Sequence, residues 1–314
     1  QLLKYDNNIY SMKDLILKHA LANSVEYGKA DPNSVLGKVL AEEPKLKTRI
    51  KEVRKEIDEA IKEISLWPLE EQRKELEKLG YKKLEKKERE GLPDLPNVKG
   101  KVVTRFAPEP NGYLHLGHLK SAIINFLYAK KYKGKIILRF DDTNPEKEKK
   151  EYYDVIREDL SKFGIKYDKE VNESDYMQKF YELCEKLIEK GNFYICLCPQ
   201  EQIKKNRFEK IACVHRSQNP EENLEFWKKM KKAEEGEMIV RLKIDMQSSN
   251  PALRDPSMFR IIKSLHPLLG NKYRIYPLYN FASVVVDHEI KTTHILRDKG
   301  FENDAMIQEY LFKI

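Results

Sequence analysis

From Met12 to Ile64 apolar residues return every three or four positions: Met12, Leu15 and Ile16, then Leu46, Ile50, Val53, Ile57, Ile61 and Ile64. Lys and Glu fill the faces between them. That period puts one apolar stripe on each of several helices and predicts an all-α segment over 1–96, its charges on a solvated face. The stretch "GLPDLPNVKG", Gly91 to Gly100, has the prolines and glycines of a connection. Beyond it the period changes. "KVVTRFA" and "KIILRFD" are short apolar runs of strand type, while His115 to Tyr132 and Lys147 to Phe163 keep helical spacing, the second stopped by Gly164. Ser174 to Lys190 adds another helix, closed by Gly191. Strands alternating with helices predict an α/β domain on a parallel sheet, in which ligands lie beyond the carboxyl ends of the strands. The loops "RFAPEPNGYLHLGH" and "RFDDTNP" begin at two such ends and should meet in one crevice. From Gly191 to about Lys272 the rhythm is less regular, with a Cys/His-rich loop, a Lys-rich helix near Trp227 and strands around "MIVRLKI" and "MFRII". This reads as an insertion. "RIYPLYNFASVVVDHEIKTTHILR" then returns to helix followed by strand, and "DAMIQEYLFKI" reads as helix.

Composition narrows the class. A chain of 314 residues has room for two or three domains, and 59 basic against 51 acidic side chains leave a net charge of +8, which suits a polyanionic partner. Four cysteines supply no disulfide framework, and neither a secretory leader nor an apolar run near membrane-spanning length is visible. The expected compartment is the cytosol. With Gln1 at one end and a helical pattern at the other, the chain reads as the N-terminal portion of a longer protein or one half of a two-chain enzyme.

The chemistry starts at His115 and His118, three residues apart just past a Pro/Asn/Gly turn. A turn leading into a helix aims backbone amides and the helix dipole at an anion, and Gly117 leaves room for close approach. Two imidazoles there can donate to phosphate oxygens as charge develops during attack on an α-phosphate. The alternative is that one histidine caps the helix and the other lies on its surface. Asp142, Thr143 and Asn144 divide evenly between function and a cap-and-turn role. Arg105 and Arg297 can both point into the crevice, where guanidinium groups suit a substrate with a side-chain carboxylate. Cys196 and Cys198, followed by Cys213 and His215, form two knuckles able to close a tetrahedral zinc site; two unrelated surface pairs is the other reading. Cys184 lies on an amphipathic helix and reads as core. "WKKMKK", Trp227 to Lys232, reads as solvated helix.

"PEPNGYLHLGHLKSA" resembles the HIGH signature of class I aminoacyl-tRNA synthetases, with Leu116 in place of Ile, and together with "LRFDDTNPEKE" it is similar to their glutamyl/glutaminyl branch from about Lys99 to Ile314. The helical start, including "YGKADPNSVLGKVLAEEP", looks like the N-terminal extension of archaeal-type glutamyl-tRNA synthetases. The resemblance implies a helical extension (1–96), the first half of a Rossmann-like catalytic domain (97–190), an inserted acceptor-stem domain with a zinc knuckle (191–275) and the start of the second half (276–314). It implies glutamate–tRNA ligase activity with ATP and Mg2+ through a glutamyl-adenylate, and a structural Zn2+ on Cys196, Cys198, Cys213 and His215. His115 and His118 would stabilise the phosphate, Asn111 and Gly117 would shape the ATP pocket, and Arg105, Asp141, Tyr279 and Arg297 would hold glutamate, Asp141 taking the α-ammonium. Glutaminyl enzymes carry Cys where this chain has Arg297, which favours glutamate. The partners implied are glutamate tRNA, with glutamine tRNA and a second chain bearing the C-terminal half as further candidates, and no membrane. The Lys-Met-Ser-Lys loop and the anticodon-binding domains of the family have no counterpart here. The rival readings are a glutaminyl-tRNA synthetase, a tRNA-modifying glutamyl paralogue, and a non-catalytic tRNA-binding module.

Overall fold

The computed structural model describes residues 11–81 and 91–314. Packing divides the chain into two compact units, 1–90 and 91–314.

In the first unit the apolar stripes become helices α1 (Met12–Tyr27), α2 (Pro32–Glu42), α3 (Ile50–Ile64) and α4 (Leu69–Lys78). Their ends follow local chemistry: Ser11 and Asp14 close a capping box on α1, Gly28 ends it in the left-handed region at φ 80°, and Asp31 caps α2 ahead of Pro32. Leu15, Ile16, Leu46, Val53, Ile57 and Ile64 are buried, whereas Ile50 is 42% exposed. It opens α3 just after a 3₁₀ segment, Pro44–Arg49, so the stripe expected to run on from Leu46 breaks there. The buried amide of Gln72 donates to the Ile64 and Trp67 carbonyls and joins α4 to the end of α3.

The second unit holds two sheets. Strands β1 (Val103–Phe106), β2 (Lys135–Phe140) and β3 (Lys169–Asn172) are parallel in the order β1-β2-β3, joined through α5 (Leu116–Lys131) and α6 (Lys150–Lys162). The mixed α/β architecture with a parallel sheet is as expected. β3 is an addition: its sequence KEVN is short and polar, and the backbone ladder to β2 defines it. Gly134 lets α5 turn tightly into β2, because a Cβ there would lie 2.1 Å from the Val102 carbonyl oxygen. After α7 (Met177–Glu189) an antiparallel sheet forms in the order β4-β5-β6-β7, from β4 (Phe193–Cys196), β5 (Ile239–Leu242), β6 (Ser257–Ile261) and β7 (Ile275–Pro277). Helices α8 (Gln200–Glu209) and α9 (Pro220–Met230) separate β4 from β5, and α10 (Tyr279–Glu289) and α11 (Glu302–Leu311) follow β7. Cys184 is fully buried in the core. In "WKKMKK" Trp227 and Met230 are core residues, so α9 is half packed rather than wholly solvated; the Trp227 indole donates to Glu185 at 2.8 Å.

The strand expected at "THILR" is absent. Thr293 meets β1 at one point only: its N–H donates to the Val103 carbonyl at 2.9 Å, and its hydroxyl accepts the Val103 N–H at 2.8 Å. A side chain substitutes here for one rung of a ladder, after which the backbone leaves the sheet. The stretch before β1 belongs to the same unit, with the Leu95 N–H on the Tyr132 hydroxyl at 2.9 Å and Lys131 on the Leu92 carbonyl at 2.7 Å.

Candidate active site and metal centre

His115 is the N-cap of α5. Its Nδ1 accepts the N–H groups of Gly117 at 3.0 Å and His118 at 3.4 Å, while Nδ1 of His118 accepts the His115 N–H at 3.4 Å. The rings stack with centroids 3.7 Å apart. With both Nδ1 atoms accepting, the neutral tautomer carries its proton on Nε2, leaving two N–H donors at a helix N-terminus. Burial, then the neighbouring His115, pulls His118 below its usual pKa and favours that neutral form. The cap thus occupies both Nδ1 atoms and leaves the Nε2 side of each ring for another partner. Gly117 serves the histidine itself, since a Cβ would meet His115 Cε1 at 2.9 Å. Asn111 is exposed in the preceding turn, its N–H on the Glu109 carbonyl at 2.9 Å.

The sheet ends carry a buried charge cluster. Arg139, fully buried on β2, donates to both Asp141 oxygens at 2.7 and 3.1 Å, to the Ser283 hydroxyl at 3.0 Å, and lies 3.0 Å from Asp287 and 3.4 Å from Glu173. Arg105 on β1 is 6% exposed and pairs with Asp287 through Nε at 3.0 Å. Arg105 and Asp141 are therefore engaged side chains, fixed in place by neighbours the sequence reading did not single out. Burial opposes ionisation of Asp287, but Arg139 and then Arg105 outweigh it and hold the carboxyl below its usual range. For Glu173 the balance runs the other way: burial, then Asp141, outweigh Arg139 and raise it well above the carboxylate range. Tyr279 opens α10 beside this cluster. Burial raises its hydroxyl, and the next influences are Asp141, Arg105, Arg297 and Arg139, so the fields of all four converge on it. Arg297 donates through Nη2 to Gln308 Oε1, and its buried Nη1 has no partner.

Asp142, Thr143 and Asn144 do not cap a helix. Asp142 is fully buried and accepts from the Tyr153 hydroxyl at 2.8 Å and from Ser174 N–H and Oγ at 2.8 and 2.7 Å. His266 Nε2 donates to the Asp142 carbonyl at 2.8 Å, and its Nδ1 accepts the N–H groups of Leu268 and Leu269. Asn144 is a junction: its N–H binds Glu148 at 2.5 Å, its Nδ2 binds Glu109 at 3.2 Å, and its Oδ1 accepts from Arg260 on β6 at 2.6 Å. Burial pushes Asp142 up to about 7 and Glu148 up to about 9. Between the ordinary carboxylate pKa and these values the folded chain holds protons that the unfolded chain has released, so stability falls as pH rises. Urea midpoints should decline from about pH 4 to about pH 9, and Glu148→Gln should flatten that slope.

At the end of β4, just beyond it, and in the loop after α8, Cys196, Cys198, Cys213 and His215 bring their ligand atoms within 4.8 Å of one another. Cys196 and Cys213 sulfurs are 3.7 Å apart, and Cys198 Sγ is 3.5 Å from His215 Nδ1. A tetrahedron with Zn–S bonds of about 2.3 Å has S···S edges of about 3.8 Å, so the donor set fits zinc. The hydrogen bond shared by the two sulfurs lowers Cys213 and raises Cys196, so one thiolate is favoured, and Arg241 Nη1 lies 3.9 Å from the Cys213 sulfur.

Residues 101–314 match the family model "tRNA synthetases class I (E and Q), catalytic domain". The chain is 45% identical to the glutamate–tRNA ligase of Pyrococcus furiosus and 44% identical to that of Methanocaldococcus jannaschii, in each case across 96% of this chain and 55% of the relative. It thus spans about half the length of the curated relatives it matches. Among solved structures, the glutamate-tRNA synthetase of Elizabethkingia anophelis shares the fold at a TM-score of 0.50 and 22% identity, covering 68% of this chain and 48% of that one. The paired histidines, the clustered strand-end charges and the family match over the whole of the second compact unit but its first ten residues lead to one assignment: the chain belongs to the class I tRNA synthetases of the E and Q branch.

Proposed function

We propose that this chain is the N-terminal part of a glutamate–tRNA ligase, activating glutamate with ATP and passing it to the 3′ end of a tRNA. The observation that carries the reading is the stacked His115–His118 pair at the N-terminus of α5, with both Nδ1 atoms taken by backbone N–H groups, together with the buried and unpartnered Nη1 of Arg297. Asp141 attracts the α-ammonium of glutamate, Arg297 meets its side-chain carboxylate through the unpaired Nη1, and Tyr279 and Arg105 line the pocket. The α-carboxylate oxygen forms a bond to the α-phosphorus of ATP, the bond to the bridging oxygen of the β-phosphate breaks, and pyrophosphate leaves with that electron pair. The Nε2–H groups of His115 and His118 donate to the phosphate oxygens as negative charge builds, with Asn111 and Gly117 shaping the turn that receives the nucleotide. A ribose hydroxyl of the tRNA then displaces AMP from the adenylate. Mg2+ bound with ATP would screen the phosphates.

Calorimetric titration with non-hydrolysable sulfamoyl analogues tests the amino-acid choice. The glutamyl-adenylate analogue should bind at least about tenfold more tightly than the glutaminyl one, a difference of one charge-assisted pair, and Arg297→Cys should abolish the preference. An unchanged preference in the mutant rejects Arg297 as the selector, and a preference for the glutaminyl analogue in the parent protein favours a glutaminyl enzyme.

Cys196, Cys198, Cys213 and His215 would hold a structural Zn2+ that fixes β4 to the loop after α8. Native mass spectrometry should find one zinc per chain, lost in Cys213→Ser together with thermal stability of the antiparallel sheet. Retention of full metal content by that variant rules out this ligand set.

A further inference from the structure

Three guanidinium groups influence Tyr279, and they differ in their partners. Arg139 and Arg105 are paired with carboxylates, whereas Arg297 makes no ion pair among the described residues and is held by the carbonyl oxygen of Gln308. Gln308 is 2% exposed on α11; its Nε2 donates to Asn280 Oδ1 at 3.0 Å, and Asn280 Nδ2 donates to Asp304 Oδ1 at 2.9 Å. Asn280 is the second residue of α10, next to Tyr279, and Asp304 and Gln308 are four apart on α11 and share a face. A primary amide can turn end for end, but an ionised carboxylate only accepts. Asp304 therefore obliges Asn280 to present its NH2 to α11 and its oxygen to Gln308, and Gln308 must in turn present its oxygen to Arg297. Resting on the reading of Arg297 as the contact to the substrate carboxylate, we infer that Asp304, Asn280 and Gln308 form a polarised amide relay that orients Arg297 without neutralising it, and so set the preference for glutamate. A carboxylate in direct contact would orient the guanidinium equally well while competing with the ligand for its charge. Two amides in series keep the anion at a distance and let its polarisation strengthen the last hydrogen bond. Asp304, Asn280 and Gln308 are positioning residues, because the group that touches substrate is Arg297.

The test uses the full-length protein and the sulfamoyl analogues of glutamyl- and glutaminyl-adenylate in calorimetric titrations, with ATP affinity as the check that each variant is folded. Asp304→Asn leaves the direction of the relay to the donor-only guanidinium but removes the anion that polarises it, and should weaken the glutamyl analogue several-fold, while the glutaminyl analogue changes less than about twofold. Adding Asn280→Asp to Asp304→Asn restores an acceptor-only group behind Gln308 and should recover the preference, which loss of packing alone would not do. Gln308→Glu supplies an oxygen that cannot turn but carries charge; it should keep ATP affinity and move the preference toward the glutaminyl analogue, and it serves if Asp304→Asn fails to bind ATP. Unchanged preference in Asp304→Asn, or a double variant no better than the single one, overturns the relay if Arg297→Cys still loses the preference. Should Arg297→Cys keep it, the reading of Arg297 fails first and the relay with it.

Discussion

Replacing Arg139 with methionine should cost about 3–5 kcal/mol of stability, because it removes the one cation shared by Asp141, Glu173 and Asp287 in a dry interior. Methionine fills the volume of the stem but leaves the carboxyl groups of Asp141 and Asp287 each short of a partner. Urea unfolding reads this as a shift in midpoint with an unchanged slope. The companion variant Glu173→Gln should cost about 1 kcal/mol at most, since burial already favours the neutral acid and an amide replaces it closely. A loss under about 1 kcal/mol for Arg139→Met would show that the cluster is not held by this charge.

His118→Ala should lower glutamate-dependent ATP–pyrophosphate exchange by the full-length protein by about 10²–10³-fold, with the glutamate KM nearly unchanged. On the proposed reading the donor is used as charge develops on phosphate, so its loss should fall on kcat. Gly117→Ala should have a comparable effect without touching either imidazole, because the new methyl displaces the His115 ring from its cap position. If Gly117→Ala retained parental exchange rates, the stacked arrangement of the two rings would be irrelevant to the chemistry.

The helices of the first unit were readable because their burial follows sequence period: Ile16, Val53 and Ile57 recur at helical spacing, and all three are buried. The HIGH-like turn was readable because its residue types serve one local geometry. β3 was not, since KEVN owes its strand state to pairing with β2 and has no apolar alternation of its own. "THILR" failed the other way. Ile295 and Leu296 suggest a strand, yet the contact with β1 ends at Thr293 and His294, both on the Val103 carbonyl. Arg139 was passed over because an arginine in a strand normally faces water; what buries it are carboxylates from the ends of β2 and β3 and from α10. Asp287 and Gln308 were missed for the same reason. Each is an ordinary polar residue until tertiary structure supplies its partners, and the only advance signal was the concentration of acidic side chains around "LRFDDTNPEKE".

The contact between Thr293 and Val103 also has a temporal meaning. It closes a loop of 190 residues, against 17 between Cys196 and Cys213. Loop-closure entropy makes the longer closure more costly by about 2 kcal/mol, so the knuckle can form early whereas the far edge of β1 is satisfied late. During synthesis β1 leaves the ribosome first and holds an unpaired edge until nearly two hundred further residues have followed. For a nascent chain that interval is a period of exposure to misassociation, and Thr293 and His294 then close the Val103 end of that edge.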